Sequence, residues 1–249
     1  MDLGLSGRRA LVCGGSRGIG YAAALRLAQE GARVVIVARS PASLEEAAES
    51  LRARTGCSVE CIAADLGTPA GRAAVVAACP ETDVLVTHSG IPQRFAEFTL
   101  LSRQDWDWWF DAHFHSAMDL IRAYVPGMKE RRFGRIVNVS ANFIKFPQAR
   151  AGHSHGTRLA LAGAIAALVR ELAPYDVTIN SVRPGLVDTQ TLRAALQERA
   201  GQRGVDYGTV EAEVISRCPA GRIADAGEIG DLITMLASAR LGYMTGRTS

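Results

Sequence analysis

Six short runs rich in β-branched residues, at 10–12, 34–37, 59–62, 84–86, 136–139 and 177–179, alternate along the chain with Ala- and Leu-rich stretches of helical period. Strand, helix, strand in that order constrains the fold strongly. Parallel strands need right-handed crossovers, and a sheet built that way is covered by helices on both faces. The helical period predicts helices over about 18–30, 41–54, 69–78, 102–131, 152–173 and 226–238. The expected fold is therefore α/β, a single-domain Rossmann-like, doubly wound parallel sheet extending over 1–249.

Composition supports one large domain. The chain has 249 residues, 48% of them apolar and 21% charged, so it can bury a substantial core without a linker. A net charge of +3 is spread out, and the densest basic stretch is Lys129-Glu130-Arg131-Arg132, which argues against a nucleic-acid or membrane surface. A small molecule or another subunit is the expected partner. Cys13, Cys57, Cys61, Cys79 and Cys218 form no CxxC pair, and the N-terminus has no basic flank leading into an apolar run, so a reducing cytoplasm is expected.

Chemistry enters at the first strand-to-helix turn, Cys13-Gly14-Gly15-Ser16-Arg17-Gly18-Ile19-Gly20. Gly14, Gly18 and Gly20 let backbone N–H groups approach a pyrophosphate at a helix N-terminus. A glycine triplet also serves tight turns that hold no ligand. Here it follows a strand and opens an amphipathic helix. After the second strand the chain reads Ala38-Arg39-Ser40, where NAD sites carry an acid for the ribose 2′-hydroxyl. Arg39, with Arg17 inside the turn, would instead hold a 2′-phosphate, which predicts NADP(H).

The turn, the segment Gly134-Arg135-Ile136-Val137-Asn138-Val139-Ser140 and the triplet Arg183-Pro184-Gly185 together resemble the short-chain dehydrogenase/reductases over essentially the whole chain. The resemblance implies cofactor contacts at Gly14, Ser16, Arg17, Gly18, Ile19 and Gly20, at Asp65 and Leu66 beside the adenine, and at Gly90, Pro184, Gly185 and Thr189. Thr189 also suits a helix N-cap. A variable substrate lid is implied at about 189–219, with a homotetramer or dimer built on 102–131 and 152–173, or a heteromer with an active relative. Members of the family close with a further strand after a Thr-Gly such as Thr245-Gly246. The sequence stops at Ser249, so that end is either shortened or continues.

At the reaction centre the resemblance places Asn, Ser, Tyr and Lys where this chain has His113, Ala141, Ser154 and Arg158, separated by 28, 13 and 4 residues. Ser154 and Arg158, four apart on a helix, share a face. A Ser hydroxyl is far less acidic than a phenol, and Arg158 stays charged, so a Tyr/Lys proton relay is not expected. Arg158 can still hold a ribose hydroxyl or an anionic oxygen. Ser140 is expected on the opposite strand face from position 141. All five histidines, His88, His113, His115, His153 and His155, fall in segments expected to line the cleft, so a His acid, His153 or His155 above all, can stand in for the phenol. Each also suits packing or capping. His-x-His pairs diverge on a helix, so no metal is expected.

Three functions fit these residues. One is a divergent NADPH-dependent reductase drawing its proton from His or water, suited to an iminium or conjugated alkene. Another is a redox-silent NADP(H)-binding subunit. The third is a non-redox lyase, cyclase or dehydratase in which Arg158 stabilises an anion.

Overall fold

A computed structural model describes residues 1–89 and 95–248. Gly90, expected beneath the adenosine, lies outside them. Six parallel strands form one sheet: β1 (Arg9–Cys13), β2 (Arg33–Ala38), β3 (Val59–Ala63), β4 (Val84–His88), β5 (Gly134–Val139) and β6 (Val177–Val182). Their spatial order is 3-2-1-4-5-6. The order reverses between β1 and β4, and in such sheets ligands bind at the carboxyl ends of the strands flanking that switch.

Strand alternation divides the core into two layers. Val12, Ile36, Val86 and Val137 face one side, under α1 (Gly18–Gln29), α2 (Pro41–Thr55) and the late helix Ala226–Ala237. Leu11, Val35, Leu85 and Ile136 face the other, under α3 (Pro69–Ala78) and the long helices that follow. A strand buried on both faces leaves no polar side to alternate, which is why β1, β2 and β4 are almost continuously apolar.

The expected helix over 102–131 is interrupted. It consists of α4 (Arg103–Phe110), one π turn (Asp111–His115) and α5 (Ser116–Glu130). A π turn adds one residue to the hydrogen-bond ladder and re-aims the side chains within it, here including His113. Beyond it lie α6 (Gly152–Leu172), α7 (Gln190–Arg203), α8 (Tyr207–Ser216) and α9 (Ala226–Ala237). Ser181 and Thr248 form an isolated parallel bridge at the outer edge of β6. No helix among the described residues is long and apolar enough to cross a membrane.

Candidate functional site

The turn after β1 has the shape a pyrophosphate requires. Gly14 and Gly18 sit at φ +67° and +56°, a region that disfavours side chains. A Cβ on Gly20 would lie 2.2 Å from the Gly14 carbonyl oxygen, so only glycine lets the helix start that close to the turn. Ser16, Arg17 and Ile19 fill the rest of it, and the open cradle fits a dinucleotide phosphate.

Arg17 reaches from the turn to the Ser43 hydroxyl (3.2 Å) and the Gln190 amide oxygen (3.4 Å). Arg39 is exposed just beyond β2. Thr189 caps α7, its hydroxyl accepting from the Leu192 N–H at 3.2 Å. Its methyl carbon would stand 3.2 Å from a Cβ on Gly18, so the cap also rests on the glycine turn. Pro184 is buried and Gly185 exposed after β6. The Asp65 carboxylate is exposed and accepts from the Gly67 N–H at 2.9 Å, shaping the loop into α3.

Next to this turn, at the β1/β4 switch, a cavity of about 20 Å³ is lined by residues that include Cys13, Leu66, His88, His113, Ser140 and Arg158. That volume is about one water molecule. His88 at the end of β4 lies against the turn, with its Nδ1 2.9 Å from where a Gly14 Cβ would be. Ser140, expected to face away, belongs to the wall. It follows the last residue of β5 and its N–H bonds the Val182 carbonyl at 2.8 Å.

Within α6, Arg158 donates to both the hydroxyl and the carbonyl of Ser154 one turn earlier. Ser154 is fully buried. His153 and His155 are buried as well, and neither they nor Ser154 line the cavity. The His153 ring packs on Trp109 at 4.6 Å between centroids, and Trp109 packs on His113 at 4.9 Å. His115 is a correction to the expected cluster: it is exposed, and lines an outer groove with Arg103 and Trp106. The π turn swings it away while it turns His113 inward.

His113 Nδ1 lies 2.9 Å from the Thr157 hydroxyl. That hydroxyl donates to the His153 carbonyl at 2.9 Å, so the ring is the donor at Nδ1 and its Nε2 carries a lone pair. Burial, then the charge of Arg158, then His153 and His88 push the His113 pKa down to about 2. Burial and Arg158 bring His88 down to about 4, and burial lowers Arg158 itself to about 10. His155 is lowered in the same direction by burial, then by Arg158 and His153. Near neutrality, His88 and His113 are uncharged and Arg158 is a cation.

Sequence reading missed Arg72. It is buried on α3 and bonded to Asp119 (2.7 Å), Asp111 (3.0 Å) and the Leu66 carbonyl (3.0 Å). The only signal in the sequence is an Arg among small and apolar residues, Gly71-Arg72-Ala73-Ala74-Val75.

Relatives share this architecture along its length. The chain is 30% identical to a 3-oxoacyl-(acyl-carrier-protein) reductase of Vibrio cholerae over 250 residues, covering 99% of this chain and 96% of that one. It is 32% identical to an acetoacetyl-CoA reductase of Shinella zoogloeoides, covering 97% and 95%. The L-sorbose reductase of Gluconobacter frateurii, solved with NADPH and L-sorbose, superposes with a TM-score of 0.94 at 30% identity, covering 100% of this chain and 96% of that one. The short chain dehydrogenase profile matches residues 8–200, and with that match added to the sheet order and the glycine turn, the chain belongs to the short-chain dehydrogenase family.

Proposed function

We propose that this protein is an NADPH-dependent oxidoreductase acting on a small molecule, with the proton-relay groups of its family replaced at its reaction centre. NADP(H) is the cofactor. The glycine cradle fits its pyrophosphate, Arg17 and Arg39 suit a 2′-phosphate, and the solved relative from Gluconobacter frateurii carries NADPH. Asp65, Leu66, Gly90, Pro184, Gly185 and Thr189 complete the proposed cofactor site. The α7–α8 segment serves as the substrate lid. A cytoplasmic homo-oligomer fits the five free cysteines and the relatives, a reducing compartment being where unpaired thiols persist.

One observation carries the replaced relay: the Ser154 hydroxyl is fully buried and bonded to Arg158. It offers no acid to the cavity. When bound, the cofactor supplies hydride. Arg158 holds the oxygen or anion where negative charge develops, which is electrostatic stabilisation without proton transfer. His113 keeps its proton at Nδ1 on Thr157, and its Nε2 lone pair orients a solvent hydroxyl. With both cavity imidazoles neutral, the proton comes from water, so a substrate needing little acid assistance, such as an iminium or conjugated alkene, fits best.

Titration with NADPH and NADH, followed by nicotinamide absorbance over imine, enone and ketone substrates, tests this. Tight NADPH binding with imine or enone turnover supports it. NADPH binding without turnover on any of them favours the redox-silent subunit, which the burial of His153, Ser154 and His155 also favours.

A further inference from the structure

The cavity beside Arg158 contains a charge that the fold leaves unneutralised. Among the described residues no carboxylate pairs with Arg158, and its partners there are the Ser154 hydroxyl and carbonyl. Arg158 is partly buried, and a cation drawn away from water normally has a countercharge, because its desolvation is otherwise uncompensated. Elsewhere in this protein that rule holds: Arg72 has Asp111 and Asp119, and Arg135 has Asp176.

Three other polar lining groups already have partners. The Thr87 hydroxyl donates to the Asn138 amide oxygen at 3.0 Å, and the Asn138 amide donates to Ser181 at 3.4 Å. The Ser116 hydroxyl donates to the Ala112 carbonyl at 2.7 Å. Two buried nitrogens in the wall remain without a partner, His88 Nδ1 and His113 Nε2. Arg158, His88 and His113 therefore converge, with no acid among the lining residues, on a space the size of one water.

We propose that this cavity is an anion site, closed by Arg158 and completed by His88 and His113, that takes one small monovalent anion or the terminal oxygen of a carboxylate. A divalent sulfate or phosphate group exceeds the volume. The proposal rests on the reading that this cavity is the reaction centre only in one respect: it then makes the preferred substrate a carboxylate-bearing molecule. His113 Nε2, a bare lone pair facing the anion, must take a proton to contribute an N–H. The groups facing it are Arg158 and His153 from α6, His88 from β4 and Trp109 from α4, and none supplies negative charge. An anion cancels the repulsion from Arg158, so anion and proton bind together.

The test uses the cofactor-free full-length protein. Sodium formate and sodium chloride are titrated at constant ionic strength and followed by tryptophan fluorescence, since buried Trp109 packs against His113. The expected result is a saturable change with Kd on the order of millimolar that tightens from pH 7.5 to pH 5.5. Arg158→Gln should weaken it about tenfold or more, and Arg158→Lys should largely restore it. Arg170→Gln, an exposed cation of α6 outside the cavity, should leave it unchanged. Circular dichroism of each variant separates lost binding from lost fold.

A non-saturable response, or the same Kd in Arg158→Gln with its fold intact, overturns the proposal. Competition distinguishes the sources of the anion. Displacement of formate by a 2-oxo acid but not by its methyl ester identifies a substrate carboxylate. Equal failure of both, with formate still saturating, identifies a free small anion. None of these readouts needs NADPH or turnover, so failure of the oxidoreductase reading leaves them standing.

Discussion

The guanidinium of Arg72 bonds Asp111 at 3.0 Å and Asp119 at 2.7 Å, joining the start of α3 to the first residue of the π turn that presents His113 and to α5 beyond it. Its remaining N–H groups reach the Leu66 carbonyl, in the loop expected beside the adenine. Two of the cavity's lining segments, the loop at Leu66 and the π turn with His113, thus hang on one side chain.

Replacing Arg72 by Met should destabilise the protein by about 2 kcal/mol, less than the roughly 3–5 typical of fully buried pairs because both carboxylates are about one-third exposed. Asp111 would lose its anchor and the π turn its register. Denaturant unfolding should show the loss. Formate affinity, which depends on His113 facing inward, should fall with it. An Arg72→Met protein with unchanged stability and formate binding would show that the clamp does not position the cavity.

Cofactor choice depends on the two arginines near the end of β2. NADPH should bind about ten- to a hundredfold more tightly than NADH, the range expected from one or two charge-assisted bonds to a 2′-phosphate. Arg39→Asp should erase or invert that ratio in a calorimetric titration, because a carboxylate repels the phosphate and accepts from a 2′-hydroxyl. Equal affinities in the unaltered protein would remove Arg17 and Arg39 from the site.

Much of the scaffold was legible because its signals are local. β1, β2 and β4 are buried on both faces along most of their length, so an apolar run between turns stands out. Gly14, Gly18 and Gly20 mark the cradle for a comparable reason: the backbone there tolerates nothing else. The π turn left no such mark. One extra residue in a helical ladder changes no periodicity that a short window resolves, yet it sends His115 outward and His113 inward. Arg72 was illegible because its partners lie 39 and 47 positions away. The isolation of Arg158 is a property of what surrounds it in space, and no spacing in the sequence reports that.

Ordinary ketone reduction should be slow. One missing acid–base group costs about 10²–10⁴-fold, and Ser154 presents no acid to the cavity, so generic ketones should turn over several orders of magnitude more slowly than in relatives with an intact relay. Installing Ser at 141, Tyr at 154 and Lys at 158 together tests the cause. A gain of about a hundredfold or more would identify those positions as the limit. Rapid ketone turnover by the unaltered protein would show that the relay is not needed.

Stability should depend on pH through the cavity histidines. Both have pKa values depressed by folding, His88 to about 4 and His113 to about 2, against an unfolded value of about 6.5. Above pH 6.5 both states are neutral and the native state has its full stability. Below it the unfolded chain binds protons that the folded chain refuses, so stability falls as pH drops toward 4 and, for His113, onward toward 2. Each site contributes up to about 1.4 kcal/mol per pH unit in its window. Urea midpoints at pH 7.5, 5.5 and 4.5 should decline on that schedule, and His113→Asn should flatten the decline. Saturating formate should flatten it too, because an anion beside Arg158 lets His113 accept its proton in the folded state. A slope indifferent to both changes would mean that His113 is not held neutral by its burial beside Arg158.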